Sequence, residues 1–240
     1  MKIRTLVLAG LAIALCACSA FAAGSWDIVR GNGSVRLENR EVSAFTGIEV
    51  AGSGLVRFTV GAVRQVTVET DANILPYIRT EVRGGKLVLS VEPGASINPT
   101  RLVFRITAPE LRSIAIAGSG DVRLESAVKA DRFDVSIAGS GDVEGDVSAD
   151  EVSVEIRGSG SVTLAGTAAS GRFEIYGSGD IEVEDLVVRD ARAVIRGSGS
   201  VTLTASRSLD VDIAGSGDVR FRGDAKVTVR DVGSGDLVEY

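Results

Sequence analysis

Histidine is absent from the 240 residues, and cysteine occurs only at Cys16 and Cys18. Without histidine the chain has no imidazole for acid–base catalysis, for a Ser–His or Cys–His nucleophile pair, or for binding zinc or iron. Any catalysis would have to rely on Asp, Glu, Arg, Tyr or Ser. Beyond Cys18 no disulfide can form, so the folded chain depends on its core alone.

Proline is scarce and unevenly placed. All four prolines lie between positions 76 and 109, and the last 131 residues contain none. Because proline cannot donate a hydrogen bond to a β-ladder, its absence is typical of strands that are paired on both sides.

Basic residues are outnumbered by acidic ones, 26 to 32, which gives a net charge of −6. Lys2 and Arg4 belong to the leader described next, so the mature chain has 24 basic and 32 acidic residues, or −8. This balance argues against nucleic acid and against anionic membrane surfaces as partners.

The N-terminus predicts export. Lys2 and Arg4 precede an apolar run over residues 6–17, and Ala20-Phe21-Ala22 is a small-x-small cleavage site, so residues 1–22 form a signal peptide. Leu15-Cys16-Ala17-Cys18 also resembles a lipobox, which would make Cys18 a lipidated N-terminus. The predicted location is therefore periplasmic or secreted, or alternatively outer-membrane lipoprotein. No later run reaches eighteen apolar residues, so no transmembrane segment is expected in the mature chain.

A tripeptide recurs along the chain at nearly constant steps. From Gly118 onward the steps are 21, 19, 19, 20, 18 and 18 residues, a period that indicates a solenoid. Gly-Ser-Gly begins at Gly52, Gly118, Gly139, Gly158, Gly177, Gly197, Gly215 and Gly233.

Each repeat has the pattern of a strand. Ile114 and Ile116 before the tripeptide alternate in the same phase as Val122 and Leu124 after it, so one face is buried. This predicts an all-β fold, a parallel β-helix of about 18–21 residues per coil. The same phase places the glycines inside the coil, and the serines and the residues after the second glycine outside it.

Residues 63–109 lack the tripeptide and contain all the prolines. Gly84-Gly85 between two alternating segments predicts a hairpin. We therefore expect an antiparallel β elaboration near the N-terminal end of the solenoid. The predicted organisation is residues 23–112, with the first coils and this elaboration, continuous with the repeat solenoid over 113–240.

The repeats and this segment together resemble a known family. Gly-Ser-Gly-Asp-Val repeats, preceded by Asn-Ile-Leu-Pro-Tyr-Ile and a Gly-Gly hairpin, resemble the head GIN domain family of "putative auto-transporter adhesins" over roughly residues 41–240. The resemblance implies an exported bacterial β-solenoid with an adhesin-like role. It implies no catalytic or binding residues, since none is established for the family.

Stacking the coils produces columns of outward residues. The middle serines form one column, for which a hydroxyl ladder that stabilises the bend is the favoured interpretation over a ligand-binding strip. Two positions later comes a column of Asp and Ser, in which Asp121 and Asp142 would lie about 5 Å apart on adjacent coils. Such a pair would suit a Ca²⁺ site or a retaining glycosidase, but its repetition along the rod favours a structural role.

The column just before the tripeptide contains Arg157, Tyr176 and Arg196 on three successive coils, where an Arg–Tyr–Arg stack is possible. The predicted binding patch, weighed against a merely solvated face, comprises these three residues with Asp121 and Asp142. No catalytic, cofactor-binding or metal-binding residue is predicted.

The favoured function is a non-enzymatic exported envelope protein that acts in adhesion, as a scaffold or in ligand binding. The alternative is a polysaccharide-active β-helix enzyme that uses surface Asp and Arg residues. Expected partners are an envelope or extracellular protein or polysaccharide. A homo-oligomer is also possible, because Asp231 stands where earlier repeats have an inward apolar residue and solenoid ends must be capped.

Overall fold

The computed structural model describes residues 28–240, so the predicted leader and Cys18 lie outside the described residues. Strands make up 72% of the structure, and the one helical element in the described range is a 3₁₀ turn at Leu75–Tyr77. The strands are β1 (Ile28–Arg30), β2 (Val35–Arg40), β3 (Gly47–Gly52), β4 (Leu55–Val60), β5 (Gln65–Asp71), β6 (Ile78–Arg83), β7 (Lys86–Val91), β8 (Ser96–Asn98), β9 (Leu102–Ala108), β10 (Ser113–Gly118), β11 (Asp121–Leu124), β12 (Val128–Gly139), β13 (Asp142–Gly158), β14 (Ser161–Gly177), β15 (Asp180–Gly197), β16 (Ser200–Gly215), β17 (Asp218–Arg222), β18 (Lys226–Asp231) and β19 (Leu237–Glu239).

The predicted parallel β-solenoid is confirmed. Each of β13 to β16 is a complete coil that pairs in parallel with the next, and tripeptide residues stay in register, as Gly158 opposite Gly177 shows. We call the segment that ends at the tripeptide the first wall and the segment that begins after it the second wall. A third segment then returns the chain to the next first wall.

The tripeptides form the bend between the two walls. The N–H of Ser159 donates to the carbonyl of Gly139 in the preceding coil at 2.9 Å, and the same bond recurs from coil to coil. Gly158 has φ of +144°, which only glycine adopts readily. The second glycine, Gly160, is buried as predicted, whereas Gly158 is half-buried and Ser159 is exposed.

The interior of the solenoid is one continuous apolar cluster. Alternate residues such as Val152, Val154 and Ile156 in β13 are fully buried, and their equivalents in other coils stack on them. Branched side chains in register fill the rod without a helix or a disulfide.

The antiparallel strands lie at the N-terminal end, as expected, but the order in which they pair with the solenoid was not predicted. β3 and β4 are inserted between two later layers, because β3 pairs in parallel with both β7 and β10, and β4 with both β9 and β11. β5 and then β2 add antiparallel strands beyond β9, and β6 pairs antiparallel with β7 across the Gly84-Gly85 turn. These additions form a cap over the first complete layer.

A buried carboxylate holds the cap together. Asp71 accepts hydrogen bonds from the N–H of Gly33 at 2.7 Å, and from the N–H and hydroxyl of Thr100 at 2.7 and 2.8 Å. Burial alone would raise the pKa of Asp71, but these donors outweigh it and lower the pKa below its ordinary value. The ionised carboxylate therefore fastens the turn before β2 to the loop before β9.

Replacing this carboxylate should weaken the fold in a pH-dependent way. In Asp71→Asn, the amide NH₂ would face one of the donors, so we expect a lower urea midpoint than the wild type at neutral pH. Because the folded pKa is lowered, the stabilisation by Asp71 is complete above the unfolded pKa of about 3.9 and is lost as pH falls through the folded pKa. The midpoints of the two proteins should therefore converge in acid.

The control is Thr100→Ser, which keeps both donors and should follow the wild-type curve. Urea melts across the pH range measure both variants. A constant gap between wild type and Asp71→Asn down to the lowest pH would show that the clamp does not depend on ionisation.

Candidate functional site

Large polar side chains are concentrated on the outer face of the first wall, in the middle of the rod. The column before the tripeptide is small at either end, with Ala117 and Ala138 on one side and Ala214 on the other. Between them the coils place Arg157, Tyr176 and Arg196 in adjacent register positions. We call these three and their outward neighbours on the same wall the first-wall face: Glu155, Arg172, Glu174, Arg192, Val194, Asp210 and Asp212.

The stack in this column has two members. The guanidinium of Arg157 lies 5.5 Å from the centre of the Tyr176 ring, a cation–π contact. Arg196 instead turns to the next coil, where it donates to the two carboxylate oxygens of Asp212 at 3.1 and 2.9 Å. The predicted Arg–Tyr–Arg stack is therefore formed on one side of the ring only.

The first-wall face has two layers of charge. The side chains of Glu174 and Asp212 are 9% and 12% exposed, whereas those of their partners Arg172 and Arg196 are 52% and 39% exposed. Arg157 pairs with Glu155 in the same way. In these pairs the carboxylate lies beneath the guanidinium group, which is the more exposed partner. Asp210 is the exception, since its side chain is 47% exposed and that of its partner Arg192 is 41% exposed.

The ion pairs on this face fix their protonation states. The hydrogen bond from Arg196 lowers the pKa of Asp212, although burial opposes this, and the same bond raises the pKa of Arg196. Four arginines balance four carboxylates across the face, so its net charge is zero. The face is therefore neutral overall, and the more exposed groups above Glu174 and Asp212 are hydrogen-bond donors.

Asp121 and Asp142 lie on the second wall, beyond the Gly-Ser-Gly bend, so the five predicted site residues do not form one patch. The N–H of Asp142 donates to the carboxylate of Asp121 at 3.2 Å, and the N–H and hydroxyl of Ser161 donate to Asp142 at 3.0 and 2.8 Å. The pattern repeats between Asp180 and Ser200. These aspartates bind the backbone of the next coil, which is the structural role that their repetition favoured.

The serine column does not have the hydroxyl–backbone hydrogen bonds that its favoured interpretation predicted. The seven serines are exposed, and their hydroxyls make no hydrogen bond to protein within residues 28–240. They are Ser119, Ser140, Ser159, Ser178, Ser198, Ser216 and Ser234. Their backbone N–H groups, not their side chains, join the coils. The expected hydroxyl ladder is absent from the described structure.

A groove of about 460 Å³ runs along the second wall beside the aspartate column. Arg57 and Arg123 line one end, and Asp146, Glu182 and Glu184 line the other. Arg57 and Arg123 are in register, and Arg105 of β9 stacks beneath Arg57. Sequence reasoning missed this arginine column, because it exists only where β4 is inserted between β9 and β11.

A β-bulge forms one side of the groove. β15 has three extra residues, Glu184 to Leu186, relative to β16, and the registers of both neighbouring strands shift there. Arg222 donates to the carbonyl of Glu184 at 2.8 Å, and the Tyr240 hydroxyl donates to the Glu184 carboxylate at 2.9 Å. The 20-residue step from Gly177 to Gly197, longer than its neighbours, was the sequence signal for this bulge.

Among residues 28–240, no group of three or more Asp, Glu, His or Cys side chains is arranged to hold a metal ion. Within the same range, no helix has the length and apolar character to cross a membrane.

Comparison with known proteins gives a family and a fold. The model of the family described as "Putative auto-transporter adhesin, head GIN domain" matches residues 44–225. No protein with a curated description matches the chain.

Several solved structures share the fold. A "putative adhesin" from Bacteroides fragilis NCTC 9343 is 24% identical with a TM-score of 0.84, covering 88% of this chain and 100% of its own. A "putative lipid binding protein" from Parabacteroides distasonis ATCC 8503 is 25% identical with a TM-score of 0.76, covering 88% of this chain and 99% of its own. A "putative adhesin" from Parabacteroides merdae ATCC 43184 is 21% identical with a TM-score of 0.70, covering 89% and 99%.

Proposed function

The chain belongs to the head GIN domain family of "putative auto-transporter adhesins", and from this premise we propose that it is a non-enzymatic, exported, adhesin-like protein that binds its ligand through the first-wall face. The name of the family and the names of two similar structures support an adhesin-like role. The predicted signal peptide supports a place in the periplasm or outside the cell, and Cys18 offers lipid anchoring as the alternative.

The observation that carries this proposal is the layered charge of the first-wall face. Elsewhere in this column the residues are alanine or, on the last coil, Val232, but at its centre Arg157, Tyr176 and Arg196 stand out from the sheet. Tyr176 is 41% exposed, although tyrosine has a large apolar ring. Exposed Tyr and Arg side chains held in place by neighbours are typical of binding hot spots.

An enzyme that acts on polysaccharide is the second candidate, and the second-wall groove is the observation that favours it. The groove brings Glu144, Asp146 and Glu182 near Arg57 and Arg123. The aspartates of the repeat column are poor candidates for acid–base roles, because their carboxylates accept hydrogen bonds from the next coil. New reducing ends or unsaturated products from neutral and acidic polysaccharides would establish this function.

Lipid binding, the name given to one similar structure, would have to use the outer surface here. The interior is filled by a single cluster of buried side chains from Phe45 to Phe221. A lipid chain therefore has no ready space inside the coils.

We expect variants of the first-wall face to lose binding to envelope material. The labelled mature protein would be incubated with envelope fragments of the producing bacterium and with extracellular matrix, and retention would be measured. Tyr176→Ala combined with Arg157→Ala removes two anchors and should weaken retention at least about tenfold, since one such anchor contributes about 1–2 kcal/mol.

The matched control is Arg123→Ala, which removes an exposed arginine from the second wall and should leave retention unchanged. Loss with Arg123→Ala alone would move the binding surface to the groove, and equal loss in the two proteins would show that retention is not specific to the first-wall face. Retention unaffected by either variant would remove the first-wall face from the proposal.

A further inference from the structure

The centre of the first-wall face, around Tyr176, presents more hydrogen-bond donors than acceptors. Arginine carries five N–H donors and no acceptor, and four arginines lie on this face. Of the four carboxylates on the face, Glu174 and Asp212 are covered and bonded to Arg172 and Arg196. Glu155 is 27% exposed and paired with Arg157, and Asp210 is 47% exposed and paired with Arg192. A ligand for this face must therefore be rich in acceptor atoms.

The donors are forked and are held in place before any ligand arrives. Asp212 binds Arg196 through both carboxylate oxygens, and the Tyr176 ring holds the guanidinium of Arg157. A planar guanidinium matches a carboxylate with two parallel hydrogen bonds, a geometry that lysine cannot reproduce. Arg157 and Arg196 lie two coils apart, or about 10 Å, with the phenol of Tyr176 between them.

The strands beneath the face exclude one class of acceptor-rich ligand. β14 and β15 are paired on both sides along their length, so no strand edge is open. An extended peptide commonly gains affinity by adding a strand to a free edge, and it cannot do so here. A polymer that contacts the face through repeated side groups, rather than through a peptide backbone, fits the geometry better.

The charge of the protein acts against every anionic ligand at long range. The chain carries −6, so nucleic acid, an anionic membrane and an acidic polymer are all repelled until they touch the surface. Recognition on this face is therefore short-ranged and depends on individual carboxylates that meet individual guanidinium forks.

Resting on the proposed function, we infer that the ligand of the first-wall face is a carboxylate-bearing polysaccharide, one with uronic acid units. Its carboxylates bind the N–H groups of Arg157 and Arg196 that the ion pairs leave free, which on Arg196 are the Nε–H and one Nη2–H because Nη1 and the other Nη2–H bind Asp212. Its hydroxyls bind Tyr176 and the flanking Arg172 and Arg192. No bond is made or broken, and the protein serves as a receptor.

The test uses the full mature protein and three defined probes: polygalacturonate, alginate and hyaluronate. Binding of each is measured by biolayer interferometry, beside polygalacturonate in which the carboxyl groups are methyl-esterified. We expect at least one acidic polymer to bind, and its affinity to fall about tenfold or more when the carboxyls are blocked, the loss of at least one charge-assisted hydrogen bond. Esterified polymer that binds as well as the acid would overturn the inference.

Variants locate the contact. Arg157→Lys with Arg196→Lys keeps the charge and removes the forks, and it should weaken binding of the acidic polymer about tenfold. Arg123→Lys on the second wall is the matched control and should bind as the wild type does. Thermal melts of all three proteins check that the ion pairs beneath the face still support the fold. Undiminished binding by the double lysine variant would also overturn the inference.

The two proposals can fail separately. If face variants lose retention on envelope material while none of the three acidic polymers binds the wild type or competes with that retention, the ligand class is wrong and the binding face stands. If an acidic polymer binds but only Arg123→Lys weakens it, the face itself is wrong.

Discussion

Gly160→Val should lower the free energy of unfolding by about 3 kcal/mol or more, the upper end of the cost of overpacking a core. A Cβ at Gly160 would lie 2.2 Å from the carbonyl oxygen of Gly141 and 3.0 Å from the Cγ2 atom of Ile137. The nearest atom is backbone in the preceding coil, so no side-chain rotation can relieve the clash. Urea melts would measure the loss. Ser159→Ala, at an exposed neighbouring site, should change stability by no more than about 0.5 kcal/mol.

A second comparison separates crowding from backbone strain. Gly52 and Gly158 hold the same place in the tripeptide and have φ of +128° and +144°. An added Cβ at Gly158 would lie 2.1 Å from the carbonyl oxygen of Gly139, whereas at Gly52 nothing lies within 4 Å. Gly158→Ala should therefore cost clearly more than Gly52→Ala. Equal losses would show that the stacked glycines are required for their φ angle and not for their size.

Phe173→Ala is expected to cost about 3–5 kcal/mol, the usual loss for a fully buried phenylalanine. Phe173 is 0% exposed, and its ring lies over Gly171 in the same strand and beside Ala193 in the next coil. These small neighbours cannot fill the space that the ring leaves, so the cavity persists. The lower midpoint in urea should be accompanied by faster amide exchange in β13 and β15, because coils transmit damage to their neighbours.

Val187→Ala is the control for the loss of apolar surface. Val187 lies in β15, close in the chain to Ala193, but is 47% exposed. Its truncation should change the free energy of unfolding by about 0.5 kcal/mol or less. A comparable loss in the two variants would mean that the midpoint reports strand propensity and not packing inside the coil.

The coils were predictable because their determinants are local. Apolar alternation keeps its phase through the tripeptide, so residues such as Ile156 and Val162 could be assigned to the core without any knowledge of pairing. The same phase put Asp121, Asp142 and Tyr176 on the outside, where the structure has them. The constant step length then fixed which residues stack.

The arginine column and the ion pairs of the first-wall face depended on contacts that sequence spacing does not reveal. The arginine column of Arg105, Arg57 and Arg123 requires β9 to pack under β4, although β4 comes first in the chain. The charge layers of the first-wall face depend on side-chain rotamers. Arg196 could reach either Tyr176 or Asp212, and in the structure it donates to the Asp212 carboxylate. The alternation of apolar residues can place a side chain outside a coil, but it does not determine which neighbour that side chain will contact.

The inserted layer also sets the order in which the protein can be assembled. Val143 and Val162 are partners 19 positions apart, so the repeat coils close from short loops and can nucleate early. Gly47 pairs with Ser113, 66 positions further along the chain, so the first coil cannot gain its upper neighbour until the chain has passed residue 113. As the chain emerges from its N-terminus, β3 and β4 therefore appear among the first strands yet complete their layer only afterwards. The interval in which their edges stay unpaired is the time in which this protein is most exposed to aggregation.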